Sequence, residues 1–202
     1  YKMITLAAGT FSAGSGQFRL LGELGLDSGA NDLGHVVVGS SPDTTLLCSD
    51  LTATDLTINA GDTLITDGYE ITLDDFLEIG LNAHLNAADG TDTGDGNFIE
   101  VGGDWANNGG AFTTGTGTVI FDGTSLVDGS SYTTFHGVTI TGSLTGHSGN
   151  MYVTGDWVNE GSFNANGGPV TLTDPGMTRF IMSIDQAVRL VLENDEITGH
   201  HR

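Results

Sequence analysis

The sequence predicts an all-β chain: a right-handed parallel β-helix over residues 1–173, followed by a short helical tail or cap in residues 174–202. Three observations predict it, namely composition, short alternating runs closed by turn residues, and a motif that returns along the chain. Gly numbers 32 and Thr 27 among 202 residues. Thr with Val and Ile suits a pleated, half-buried surface, whereas Gly, Asn and Asp suit tight corners. Runs such as Thr63-Leu64-Ile65, Glu70-Ile71-Thr72-Leu73 and Phe98-Ile99-Glu100-Val101 are each too short to bury an apolar face alone. Stacking must therefore complete the core, with Val, Ile, Leu and Phe laddered inward and Thr and Asp facing water. A β-sandwich is the alternative, which irregular run lengths and parallel-looking recurrence disfavour.

The recurrence is explicit. Ile99-Glu100-Val101-Gly102-Gly103-Asp104-Trp105 returns 52 positions later as Met151-Tyr152-Val153-Thr154-Gly155-Asp156-Trp157. Asn107 and Gly109 match Asn159 and Gly161; after the extra Gly110 the offset is 51, so Phe112 matches Phe163 and Val119-Ile120-Phe121 matches Val170-Thr171-Leu172. Leu56-Thr57-Ile58 is echoed at Val138-Thr139-Ile140. Trp105 and Trp157 are expected to pack in the core or at corners rather than serve as sugar platforms. The pattern Gly-Asp-Trp-x-Asn-x-Gly, then Phe, then Gly-Thr-Gly-Thr-Val-Ile-Phe-Asp-Gly at 115–123, resembles the Gly/Asn/Thr-rich repeats of large bacterial surface and secreted proteins. The resemblance covers roughly residues 33–173 and implies a β-helical adhesin, stalk or passenger segment.

Charge narrows the partners. There are 26 acids against five bases, a formal charge of −21, and Asp (19) outnumbers Glu (7), as turn-borne acids would. Such a surface repels nucleic acid and anionic lipid and attracts divalent cations. No run approaches the ~20 apolar residues of a membrane span, and Met3 to Ala8 is too short and wrongly flanked for a signal peptide. Cys48, the single cysteine, follows Leu46 and Leu47 and is expected as a small core hydrophobe.

Composition changes near residue 174. Bases are absent from Leu20 to Thr178, yet Arg179, Arg189 and Arg202 fall in the last 24 residues, where Gly199 is the only glycine. Residues 167–192, with Gly-Gly-Pro-Val-Thr-Leu and then Met-Thr-Arg-Phe, resemble a C-terminal segment of nucleotide-sugar 4,6-dehydratases and epimerases of polysaccharide biosynthesis. That resemblance implies a nucleotide-phosphate contact for Arg179. The rest of such an enzyme is missing: Gly14-Ser15-Gly16 and Gly115-Thr116-Gly117 lack the third glycine of a dinucleotide turn. Lys2 is the only lysine, so a Tyr-x-x-x-Lys pair does not exist. Dehydratase activity is thereby excluded. The tail reads either as a fused fragment or as a cap, because Ser183 with Gln186 forms a capping box and Ile184, Ala187, Val188, Val191 and Leu192 share one helical face.

Three constellations carry candidate chemistry. Asp89, Thr91, Thr93, Asn97 and Glu100 fall on positions 1, 3, 5, 9 and 12 of a calcium loop, with Gly94 at position 6. Thr replaces two of the usual carboxylates there, and a solvated corner loop is the competing reading. Asp74, Asp75 and Glu78 would be the carboxylates of a glycosidase, although Asp75 breaks the alternation of Ile71, Leu73, Leu77 and Ile79 as a turn would. The six histidines show no metal-ligand spacing beyond the adjacent His200 and His201. The expected function is a non-catalytic, extracellular or cell-surface module (stalk, adhesin segment or filament subunit) that needs no cofactor other than calcium. Its expected partners are further copies of itself and polysaccharide. A carbohydrate-active β-helix enzyme is the alternative.

Overall fold

Strands of two to five residues form along runs in which aliphatic or aromatic residues alternate with polar ones, as in Ile71-Thr72-Leu73 and Phe98-Ile99-Glu100-Val101. The computed structural model describes residues 2–9, 11, 13–88 and 98–173, together with the backbone of 180–181. Within them the strands stack as a three-sided parallel solenoid. The first face holds β1 (Lys2–Thr5), β3 (Leu24–Asp27), β5 (Thr44–Leu47), β8 (Thr63–Ile65), β11 (His84–Asn86) and β14 (Ala111–Thr113). The second holds β2 (Gln17–Leu20), β4 (His35–Val38), β7 (Asp55–Ile58), β10 (Leu77–Ile79), β13 (Trp105–Asn107), β16 (Thr124–Asp128), β19 (Ser143–Thr145) and β22 (Ser162–Asn164). Its eight strands correspond to about eight turns. The third runs through β6 (Leu51–Ala53), β9 (Ile71–Leu73), β12 (Phe98–Val101), β15 (Thr118–Phe121), β18 (Gly137–Ile140), β21 (Trp157–Asn159) and β24 (Phe180–Ile181). Over the last turns β17 (Thr134–Phe135), β20 (Met151–Val153) and β23 (Val170–Leu172) take the first face's place in chain order.

Every strand pair is parallel, which removes the sandwich alternative. The inward ladder of the third face reads Leu51, Ile71, Ile99, Val119, Val138 and Trp157, all buried. The outward column between the ladders, Thr52, Thr72, Glu100, Ile120 and Thr139, stays half-buried or exposed. Strand neighbours on one face lie 18 to 23 residues apart, except for 27 or 28 where the chain runs 84 to 111, 71 to 99 and 77 to 105. One turn thus carries an insertion between β11 and β12, where residues 89–97 lie outside the described set.

The 52-residue recurrence has an unexpected geometry. It spans eight strands, two and two-thirds turns, so each matched residue lands one face over: Trp105 lies on the second face and Trp157 on the third. Leu56-Thr57-Ile58 and Val138-Thr139-Ile140 are likewise one face apart. The repeating unit is therefore a strand–corner–strand module rather than a full turn. Its packing survives the rotation, since Trp105 meets Phe112 at 4.9 Å and Trp157 meets Phe163 at 5.0 Å, edge to face in both cases. Both tryptophans are buried, at 0% and 4% exposure.

Cys48 departs from expectation. Leu47 points into the core, so alternation turns Cys48 outward, and it is half-exposed rather than a core residue. The helical tail expected in 174–202 falls outside the described residues, apart from β24, which pairs with β21.

Candidate functional site

Of the expected calcium ligands, Asp89, Thr91, Thr93 and Asn97 lie outside the described residues, as does Arg179. Glu100 sits in β12 with its side chain outward and half-buried. Burial, and then the charge of Asp122, push its carboxyl above the ordinary glutamate range. Asp74 and Asp75 occupy the corner between β9 and β10, both exposed, so the break in alternation is a turn. The Asp75 backbone N–H donates to Thr54 O at 2.7 Å, and Glu78 accepts from Asn108 Nδ2 at 2.8 Å. Among the described residues no three His, Cys, Asp or Glu side chains converge as a metal site would require.

Several acids of the early turns act within the fold. Asp43 accepts from the backbone N–H of Gly22 (2.8 Å) and Ser40 (3.1 Å), and those bonds hold its carboxyl below the ordinary range. Asp62, fully buried, accepts from the N–H groups of Ser41 (2.8 Å) and Asp43 (2.7 Å). Gly39, at φ +90°, makes room for it, because a Cβ there would lie 2.0 Å from the Asp62 carboxyl carbon. Asp50 and Asp104 likewise accept from Glu70 N and Leu126 N in neighbouring turns. His35 pairs with the buried Asp55 directly beside it in register. Sequence reasoning missed that pair; its signal was two side chains 20 residues apart in one outward column.

The N-terminal end has a different character. Among the described residues β1 is hydrogen-bonded to β3 alone and β2 to β4 alone, leaving the opposite edge of each unpaired. β1 is mostly exposed, and Met3 is 60% exposed. Met3 lies over Gly25, where an added Cβ would come 3.1 Å from both Met3 Sδ and Cys48 Sγ. The result is a small apolar shoulder on an acidic body, adjoining strand edges that have no partner among the described residues.

Comparison with known proteins finds one family match and one relative over a short stretch. Residues 162–201 match a family model described as polysaccharide biosynthesis protein. An uncharacterized membrane protein of Methanocaldococcus jannaschii is 78% identical over 27 residues, covering 13% of this chain. The matched stretch spans 8% of that relative's length. No solved structure matches the chain. The first residues of the family match, 162–173, form β22 and β23 of the solenoid, with Val170–Leu172 pairing with Met151–Val153. No helix among the described residues is long and apolar enough to cross a membrane.

Proposed function

We propose that this chain is a non-catalytic structural module of a surface or secreted protein, a stalk, adhesin segment or filament subunit, that joins end to end with copies of itself. The observation that carries the reading is that β1 and β2, among the described residues, each have one edge without a strand partner. Unpaired N–H and C=O groups template a further strand. The segment Met3-Ile4-Thr5-Leu6 has neither Pro nor acid to prevent this. The chain's charge of −21 opposes sideways clumping, so growth is directed along the axis. Light scattering and electron microscopy of the chain with and without residues 1–10, at low and high salt, test it. Linear assembly promoted by salt or divalent cations and lost on deletion is expected. A monodisperse monomer under every condition, unchanged by the deletion, overturns the proposal.

The match over 162–201 supports a second reading, in which the chain carries a non-functional fragment related to nucleotide-sugar enzymes. Calorimetry with a UDP-sugar checks whether that fragment retains any ligand binding. No heat would reduce it to a sequence relic.

A further inference from the structure

The later turns differ from the rest of the surface. Nineteen acids fall in residues 1–128, yet residues 129–155 contain no Asp, Glu, Lys or Arg, and residues 129–173 only Asp156 and Glu160. Near the start of this neutral region Tyr132 is 56% exposed. Its ring meets His147 edge to face at 5.5 Å and Tyr152 at 6.4 Å. Gly149 makes the approach possible, since a Cβ there would lie 2.5 Å from Tyr132 Cε1. The supports are fixed in turn. His147, buried, accepts from Gly149 N through Nδ1 (2.8 Å), which places its proton on Nε2, facing Gly129 O at 3.1 Å. Asn150 Nδ2 donates to the Tyr152 hydroxyl at 2.9 Å. Tyr152 stands in register between Thr134 and Thr171, both exposed.

From this arrangement we propose that Tyr132 and Tyr152, with Asn150, Thr134 and Thr171, form a binding platform for a neutral polysaccharide. A pre-positioned aromatic ring offers apolar contact to the C–H face of a sugar at little entropic cost. Flanking hydroxyl and amide groups supply uncharged hydrogen bonds to sugar hydroxyls. With no charged residue in 129–155, none of the platform's own segment carries an ion to be desolvated on binding, while the acidic body turns away polyuronates and other anionic chains. A protein partner fits less well, because the exposed apolar surface here amounts to one tyrosine, without the hydrophobic centre of a protein interface. This proposal stands apart from self-association, since the platform lies on a lateral surface remote in sequence from β1.

Affinity electrophoresis of the full chain through gels containing a neutral β-glucan, a neutral α-glucan, soluble chitin oligomers or polygalacturonate tests it, followed by titration calorimetry on any glycan that retards. Retardation by at least one neutral glycan and not by polygalacturonate is expected, with little dependence on salt. Tyr132→Ala is expected to weaken binding by roughly tenfold or more, while Tyr132→Phe, which keeps the ring, stays within about threefold of the native chain. Met3→Ala, at the far end, leaves binding unchanged and also shows that the site is not the assembly edge. Retardation by none of the neutral glycans, or equal binding by Tyr132→Ala with an unchanged melting temperature, overturns the proposal. Capture of a protein without glycan binding overturns it too.

Discussion

The early turns, through residue 128, and the later turns, 129 to 173, share one backbone architecture and hold their corners together differently. In the early turns Asp and Asn side chains reach across from one turn to the next: Asp43 to Gly22, Asp62 to Ser41, Asp50 to Glu70, Asn59 to Gly39. From Gly102 onward the corner after the third face relies on glycine. A Cβ on Gly123 would sit 2.0 Å from Gly102 O, one on Gly142 2.1 Å from Gly123 O, and one on Gly161 1.9 Å from Gly142 O. Backbone stacks directly on backbone there, leaving no space for a side chain. The difference teaches that the solenoid's acidity is partly structural. Glycine stacking serves charged and neutral turns alike, as Gly29 over Leu6 and Gly102 over Asp74 show, whereas the later corners stack without carboxylate ties and leave the surface there free to be neutral and to present Tyr132.

The comparison implies that core deletions cost similar amounts in both regions, while corner substitutions break different interactions in each. Phe135, fully buried, meets Trp105 at 5.2 Å and Phe121 at 6.0 Å. Phe135→Ala is expected to destabilise by about 3–5 kcal/mol, and Leu64→Ala in the early turns by about 2–5 kcal/mol. Denaturant titration checks both. A cost near zero for either would show that its region is not packed as a core. Gly142→Ala should cost about 1–3 kcal/mol by forcing adjacent turns apart, with no dependence on pH. Gly16→Ala is the control, since its Cβ would meet only Ala13 O at 3.3 Å.

Asp62 gives the matching test of a carboxylate corner. Asp62→Ala leaves the N–H groups of Ser41 and Asp43 without their acceptor, at a cost of about 1–3 kcal/mol. Asp62→Asn keeps an acceptor oxygen and should recover a large part of it. An Asn variant as unstable as Ala would mean that charge, rather than the hydrogen bonds, sustains the corner.

Much of this was legible in the sequence, for identifiable reasons. Period-two alternation in Ile71-Thr72-Leu73 and Phe98-Ile99-Glu100-Val101 gave the strands and their inward faces, because side-chain period in a strand is a local property. Asp75 read correctly as a turn for the same reason. The recurrence of Gly-Asp-Trp announced stacking but not its phase. A module of one-third turn fits any corner, so only the pairing register shows Trp105 and Trp157 on different faces. Cys48 was misjudged because an apolar neighbourhood in sequence says nothing about which side of the pleat a residue occupies. The Tyr132 platform depends on contacts with His147 and Tyr152 made between turns. Its one trace in the sequence was the charge-free run from 129 to 155.

Acid should separate two carboxylates of the early turns, one that ties a corner and one that does not. Asp43 has a folded-state pKa below its unfolded value, so its stabilising contribution is complete above the ordinary carboxylate range and is lost as pH falls through the lowered value. Glu100 works in the opposite sense. Its pKa is raised in the fold, so its ionised form is penalised near neutral pH, and protonation relieves the penalty as pH falls through the raised value. Asp43→Asn should therefore lower the melting temperature at pH 7 and match the native chain in strong acid. Glu100→Gln should raise it at pH 7, with the gain vanishing in acid. Melting temperatures from pH 7 down to about pH 2 check both. A pH-independent difference in either variant would deny the assigned cause.

The smallest expected effect concerns Cys48, which reports on the acidic region from within. Its thiol is pushed above the ordinary cysteine value by burial first, then by the carboxylates of Asp27 and Asp67. Because the thiolate is the reactive form, modification by an uncharged disulfide reagent should be slower at pH 8 than that of a short cysteine peptide. Two of the three causes that push the thiol up respond to salt and the third does not. Ionic strength screens the carboxylates and leaves burial untouched, so high salt should speed the reaction by a few-fold without reaching the peptide rate. Asp27→Asn should reproduce part of that gain at low salt and blunt the remaining salt response. A rate indifferent to both salt and Asp27 would assign the whole suppression to burial beneath Met3. Met3→Ala should then accelerate the reaction where Asp27→Asn did not.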